Sequence, residues 1–325
     1  MKSFNEITHI ILNELEHLNW NKEPAGLYEP IGYVLSLGGK RIRPALTLMA
    51  CNLFTDDVQP AINSALGLEI FHNFTLLHDD IMDRADVRRG KPTVHIKWDD
   101  NTAILSGDVM QIESYRLIAQ TPEKYLKQSL DLFSQTAAEI CEGQQYDVDF
   151  EKRNDVKAEE YLEMIRLKTA VLLACSLKIG AWIGGADAKD AELLYDFGIN
   201  IGMAFQLKDD LLDVYGNEAT FGKKIGGDIL CNKKTYLLIH ALENAKGEKA
   251  TELQKWLNTS SDIMANEKIK AITSLFNELG VKTICEDKML FFYSKGIANL
   301  EKVSVSTNNK QELRNLAEKL MFRQE

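Results

Sequence analysis

Apolar residues recur at i, i+3 and i+4 over long stretches of the chain, runs of alternating β-branched residues are few, and only six prolines interrupt the pattern. That periodicity is the signature of amphipathic helices and predicts an all-α fold. Helices are expected near 3–19, 25–37, 42–54, 58–83, 100–118, 123–145, 157–183, 187–215 and 233–246, with more toward the C-terminus. Between them Pro24 and Pro30, Gly38-Gly39, residues 56–60, 89–92, Thr121-Pro122, Gly184-Gly185 and residues 222–227 read as loops. No segment is of low complexity and no long polar linker parts two apolar regions, so residues 1–325 read as a single all-helical domain.

Composition narrows the function classes. A chain with 45% hydrophobic and 26% charged residues is of ordinary globular type. A net charge of -10 opposes non-specific binding to nucleic acid, which needs basic residues against each phosphate, so no nucleic-acid partner is expected. Basic residues are instead gathered beside glycines, in Lys40-Arg41-Arg43, Arg88-Arg89-Lys91 and Lys223-Lys224, an arrangement that suits small anions. The five cysteines are far apart and form no C-x-x-C, which indicates reduced thiols and a cytoplasmic setting. The N-terminal residues lack an uninterrupted apolar core, and the most apolar stretch, 169–186, contains Lys178, so neither a signal peptide nor a membrane span is expected.

Two segments carry the chemistry. Asp79, Asp80 and Asp83 lie in one cluster, Asp209, Asp210 and Asp213 in the other, each spelling D-D-x-x-D. Residues four apart on a helix project from one face about one turn apart, where like charges destabilise an isolated helix by a few tenths of a kcal/mol. A hard divalent cation resolves that repulsion, and Mg2+ is usually held by one or two carboxylates together with substrate phosphates. One such cluster alone reads as a solvated acidic helix end; its recurrence favours a metal–diphosphate site.

The basic glycine-flanked turns supply the other half of such a site. Gly38-Gly39-Lys40 precedes a predicted helix whose first amides suit an anion, Arg43 is one turn on from Lys40, and Arg88-Arg89 follow the first acid cluster. The segment 222–228 bears Lys223 and Lys224 shortly after the second cluster. A P-loop is excluded there, because five residues separate Gly216 from Gly222 where that motif has four, and no strand precedes it.

In order and spacing, the segments Gly-Gly-Lys-Arg-Ile-Arg-Pro (38–44), His-Asp-Asp-Ile-Met-Asp (78–83), Arg-Arg-Gly-Lys-Pro-Thr (88–93), Ser-Gly-Asp (106–108), Lys-Thr (168–169) and Phe-Gln-Leu-Lys-Asp-Asp-Leu-Leu-Asp (205–213) resemble the trans-isoprenyl diphosphate synthases, the polyprenyl synthetase family. The resemblance spans about 38–238. It implies a single large helical bundle of the isoprenoid synthase type with a central cavity between two Asp-rich helices, and a homodimer. It also implies that isopentenyl diphosphate is condensed with an allylic diphosphate (dimethylallyl, geranyl or farnesyl). Asp79, Asp80, Asp83, Asp209, Asp210 and Asp213 would hold three Mg2+ ions. Arg88, Lys168, Lys223 and Lys233 would contact the allylic diphosphate; Gly39, Lys40, Arg43, His72 and Arg89 would form the isopentenyl diphosphate pocket; Thr169 and Gln206 would steady the allylic cation. Arg323 is a further candidate for the homoallylic phosphate.

The residues before Asp79 bear on product length, since one helical turn of ~5.4 Å is about one isoprene unit deep. On an ideal wheel Thr75 lies roughly 40° from Asp79 and Phe74 roughly 140° away, so geometry supports Thr75 as pocket-facing. Phe74 as part of a chain-length floor is implied by resemblance. An aromatic residue five before the cluster, a small one four before it, and no insertion within it resemble the short-chain geranylgeranyl (C20) synthases, with a farnesyl (C15) synthase as the alternative. A class I terpene cyclase fits less well, because its second metal motif has a different composition. A non-catalytic partner subunit usually lacks one acid cluster, and a helical scaffold whose acidic patches bind protein or Ca2+ would release no diphosphate.

Overall fold

A computed structural model describes residues 1–216, 225–259 and 261–322. The chain forms two compact units. Met1–Gln135, Cys175–Tyr195 and Lys302–Leu313 make the first, and Thr136–Ala174, Asp196–Glu301 and Arg314–Glu325 the second. Among the described residues nearly all regular structure is helical.

The first unit begins with α1 (Phe4–Glu16), opened by a capping box in which the Ser3 hydroxyl accepts from the Glu6 amide and Glu6 accepts from the Ser3 amide. Next come α2 (Ala25–Ser36), α3 (Ile42–Asn52) and, after a 3-10 turn at Gln59–Ala61, α4 (Ile62–Met82). Pro30, expected in a loop, lies inside α2. The carbonyl that loses its donor there belongs to Gly26, in the open first turn of the helix.

α4 is apolar nearly all round: Ala65, Leu66, Leu68, Ile70, Phe71, Phe74 and Leu77 are all buried, as befits a central helix. It leads to a hairpin, Val87–Arg88 against Lys91–Pro92, that periodicity did not reveal. Its two turn residues, Arg89 (φ 53°) and Gly90 (φ 74°), are both left-handed, the conformation that matches strand twist in a two-residue connection. The short α5 (Val94–Lys97) and then α6 (Asp100–Ile118) follow, with the Asp99 carboxylate accepting from the Thr102 amide at the start of α6. α6 packs closely on α4: a Cβ on Gly67 would lie 2.9 Å from the Ser114 carbonyl oxygen, and one on Gly107 would enter the His78 ring.

The helix α7 (Glu123–Glu151) runs past the expected end at 145. α8 (Ala158–Ile165), a π turn (Arg166–Ala170) and α9 (Val171–Gly184) follow one another without a break. This stretch is long and apolar enough to cross a membrane by length and composition, and 72% of its most apolar window is buried in the protein, as in a core helix. Next come α10 (Ala188–Tyr215), the short α11 (Gly227–Leu230), α12 (Tyr236–Asn244), α13 (Glu248–Leu257), α14 (Ser261–Glu278), α15 (Val281–Lys302) and α16 (Thr307–Phe322). The core of the second unit gathers Tyr161, Leu207, Leu237, Phe276 and Cys285, all at most 2% exposed.

Candidate active site

In the first unit, α4 ends on the first acid cluster. Asp79 and Asp80 lie in its last turn, and the Asp83 amide closes it by donating to the Asp79 carbonyl at 2.8 Å. Three carboxylates stand at the negative end of a helix dipole, an arrangement that costs about 0.3–1 kcal/mol per charge and calls for a cation. Asp79 is partly exposed and Asp83 exposed, whereas Asp80 is buried. Arg88 grips Asp80, with Nε 2.8 and 2.9 Å from its two oxygens and a second nitrogen at 2.7 Å. Burial nevertheless holds the Asp80 pKa above its usual value, against the pull of Arg88.

The hairpin also aims Arg89, whose guanidinium donates to the Gly38 carbonyl. A Cβ on Gly39 would lie 2.9 Å from that guanidinium, and Gly39 has φ 131°, so glycine is required there on both counts. Lys40 is exposed and Arg43 partly buried. Burial lowers the Arg43 pKa to about 10, with Arg89 adding to the effect and Glu69 opposing it. His72, pressed by burial and by Arg43, Arg89, Arg88 and Arg41, is held well below its usual pKa and is therefore a neutral imidazole. Arg43 Nε is buried without a hydrogen-bond partner, a donor left over for an anion.

Beneath this basic group lies a buried pair that sequence reasoning missed. Arg41, left-handed at φ 48°, donates to Glu69 at 2.6 Å and to the Leu35 carbonyl. Asn73 donates to both the side chain (3.0 Å) and the carbonyl (2.8 Å) of Glu69. The carboxylate of Glu69 offsets the guanidiniums above it and fixes the turn that carries Lys40 and Arg43. Nearby, Thr75 is partly exposed and donates to the His72 carbonyl at 2.8 Å. Phe74 is buried in a run of rings: His78 is 4.8 Å from it on one side and Phe71 5.4 Å on the other, with Phe133 and Tyr115 continuing the stack.

In the second unit, α10 carries the second cluster in its last turns. Asp210 is buried, and it accepts from the Tyr161 hydroxyl and from Gln206 Nε2 at 3.3 Å. Burial, reinforced by Asp228, raises its pKa to about 8. Asp209 and Asp213 are partly exposed, and an Asp213 oxygen accepts from the Asp228 amide at 3.1 Å. Lys168 and Thr169 sit in the π turn, a distortion that recurs at functional sites. The Thr169 hydroxyl donates to Gln206 Oε1 at 3.2 Å, so Thr169, Gln206 and Asp210 form one chain of hydrogen bonds. Lys168 Nζ is 2.6 Å from Asp147 Oδ2 and Lys233 Nζ 3.7 Å from the same oxygen. Lys223 and Arg323 lie outside the described residues.

A model of the polyprenyl synthetase family matches residues 24–276. The chain belongs to that family. Geranylgeranyl diphosphate synthase of Methanosarcina mazei is 40% identical to it over 283 residues, 82% of this chain and 87% of that protein. Geranylfarnesyl diphosphate synthase of Natronomonas pharaonis is 41% identical over 238 residues, 68% and 70% of the two chains. A crystal structure of a geranylgeranyl pyrophosphate synthase superposes with a TM-score of 0.94 at 46% identity, covering 99% of both chains. The polyprenyl synthetase fold is the all-α isoprenoid synthase fold, and the chain is an isoprenyl diphosphate synthase, a prenyltransferase.

The acid clusters of this polyprenyl synthetase offer oxygens suited to a hard divalent cation whose shell phosphate and water would complete. Among the described residues no three His, Cys, Asp or Glu side chains converge into a ready cage. Asp79, Asp83, Asp209 and Asp213 all reach solvent, whereas Asp80 and Asp210 are buried on protein donors. Mg2+ needs only one or two carboxylates when phosphate oxygens and water complete its shell. Besides Glu69, two functional neighbours escaped sequence reasoning: Asp147, one acid among several on a polar helix, and Tyr161, whose hydroxyl is a neutral donor because burial and Asp210 hold its pKa well above the usual value.

Proposed function

We propose that this enzyme condenses isopentenyl diphosphate with dimethylallyl, geranyl and farnesyl diphosphates to give geranylgeranyl diphosphate, a C20 product. The observation that carries this reading is the placing of basic side chains by each D-D-x-x-D cluster in its own unit: Arg88 is paired with Asp80 and feels the charges of Asp79 and Asp83, and Lys233, which shares Asp147 with Lys168, acts on the charge of Asp210. The geranylgeranyl synthases among the relatives support the C20 product, and the geranylfarnesyl relative supports a C25 product as the second reading. The farnesyl (C15) product stays the alternative that the residues before Asp79 leave open.

In this reading Asp79, Asp83, Asp209 and Asp213 offer oxygens to three Mg2+ ions, with Asp80 and Asp210 completing the two clusters from buried positions. Bound Mg2+ would neutralise charge on the departing diphosphate and so favour ionisation of the allylic C–O bond. Arg88, Lys168, Lys223 and Lys233 grip the same diphosphate. Thr169 and Gln206 present their oxygens to the allylic cation, and their mutual hydrogen bond orients both. Gly39, Lys40, Arg43, His72 and Arg89 hold isopentenyl diphosphate, with the neutral His72 leaving charge recognition to the guanidiniums. Phe74 and Thr75 form the chain-length floor. The alkene attacks the cation and the released diphosphate takes the proton, so no protein nucleophile is required.

The enzyme is further proposed to act in the cytoplasm as a homodimer. Five widely spaced cysteines that form no C-x-x-C support the first, and an exposed apolar stripe on α6, Ile104, Leu105 and Ile112, supports the second. The deciding assay is purified enzyme with isopentenyl diphosphate, Mg2+ and each primer, products being resolved by chain length. A C20 product is expected, and Asp79→Ala should lower turnover by at least about a hundredfold; near-normal turnover in that variant would remove Asp79 from the metal site.

A further inference from the structure

Three elements of the second unit bring one oxygen and two ammonium groups together. Asp147 projects from α7, Lys168 from the π turn, and Lys233 from the turn between α11 and α12, and both amines approach Asp147 Oδ2, at 2.6 and 3.7 Å. The approach is built into the backbone. Gly143, one turn before Asp147, lets α7 pack so tightly on the π turn that a Cβ there would lie 2.4 Å from the Lys168 amide nitrogen. Asp147 is only 14% exposed, so its charge is poorly screened, and Lys233 opposite is 43% exposed and open to an arriving anion.

From this geometry, and on the reading of Lys168 and Lys233 given above, we propose that Asp147 is a stand-in for the allylic diphosphate. It is a positioning residue that holds the two ammonium groups between turnovers and weakens the grip of the site on the diphosphate that must leave. When the substrate diphosphate arrives, each ammonium exchanges some of its attraction to Asp147 for attraction to phosphate. When the product diphosphate departs, the pairs with Asp147 re-form. The carboxylate therefore lowers affinity for substrate and released diphosphate together. Such uniform weakening of binding favours turnover where release limits the rate.

The backbone decides the direction of the effect. The turn carrying Lys233 is fixed without Asp147: the Lys233 amide donates to the Asp228 carbonyl at 2.9 Å, the Thr235 amide donates back to the Lys233 carbonyl at 2.8 Å, and the Asn232 side chain donates to the Leu257 carbonyl at 2.9 Å. Lys168 is held within a buried helical stretch. Loss of the Asp147 charge thus leaves both amines in place and raises the positive potential they present. The opposite role, in which Asp147 is needed to aim the lysines, would weaken diphosphate binding when the charge is removed.

The test is calorimetric binding of inorganic pyrophosphate with Mg2+ to the full chain, alongside steady-state kinetics. Asp147→Asn should bind pyrophosphate about tenfold more tightly than wild type, equivalent to about 1.4 kcal/mol. It should also lower KM for the allylic substrate, lower kcat, and leave KM for isopentenyl diphosphate unchanged. Asp147→Ser removes the same charge with a different shape and decides the matter if the asparagine variant does not fold. Unchanged or weaker pyrophosphate binding in a folded neutral variant, with wild type binding normally, overturns the role of Asp147 alone. Failure of the folded wild type to bind Mg2+-pyrophosphate overturns the site reading as well.

Discussion

Asp80 and Asp210 are the middle acids of their clusters, and each has been drawn out of solvent onto a protein donor, Arg88 for one and Tyr161 for the other. Their outer neighbours are partly or fully exposed. The clusters themselves were legible in the sequence because carboxylates four apart on a helix need an explanation. The division of roles within them was not, since it depends on which side chains pack beside each acid. Glu69 was legible in principle: a lone carboxylate within the apolar run 62–77 cannot be buried unpaired. Asp147 gave no such signal, standing on a polar helix near Glu142, Asp149 and Glu151. Phe74 is the other residue whose surroundings matter. Its ring fills a buried place between Phe71 and His78, so Phe74→Ala opens a void and should cost about 3–5 kcal/mol of stability. The same variant is expected to make a longer product by at least one isoprene unit; an unchanged chain length by mass spectrometry would remove Phe74 from the floor.

Helices were the most readable elements, because prolines, glycines and capping residues mark their ends in the sequence. All nine of the expected helices begin within a few residues of where the periodicity placed them: α1, α2, α3, α4, α6, α7, α8, α10 and α12. The π turn and the hairpin were not visible, the first because it alters the helical period by one residue and the second because its strands are two residues long. Yet those two irregular elements carry Lys168, Thr169, Arg88 and the turn residue Arg89. The seating of the π turn against α7 depends on Gly143, whose missing side chain leaves room for the Lys168 backbone. Gly143→Ala should displace that turn, costing about 1–3 kcal/mol of stability. It should lower kcat/KM for the allylic substrate by about tenfold or more, with KM for isopentenyl diphosphate little changed in steady-state assays.

For the molecule as a whole, composition and charge set the class of protein but not its organisation. The two compact units were not legible, since neither is a continuous stretch of sequence and no polar linker separates them. Assembly is a property of the same scale. The α6 stripe leaves Leu105 57% and Ile112 60% exposed, more apolar surface than a solitary helix face ordinarily shows to water. On the homodimer proposal the wild type is expected to run as a dimer by light scattering and the double variant Leu105→Glu, Ile112→Glu as a monomer; a dimeric variant would place the interface elsewhere. The π turn has a consequence on a longer horizon. Its hydrogen-bonded turn closes over one residue more than an α-helical turn, so side chains before and after it are out of phase by about 100°. Deleting a single residue within 166–170 would heal the helix while turning the Lys168–Thr169 pair away from Gln206. The chemistry at that point is encoded in the length of the chain as much as in its lettering, and alignments that close a gap there would erase it.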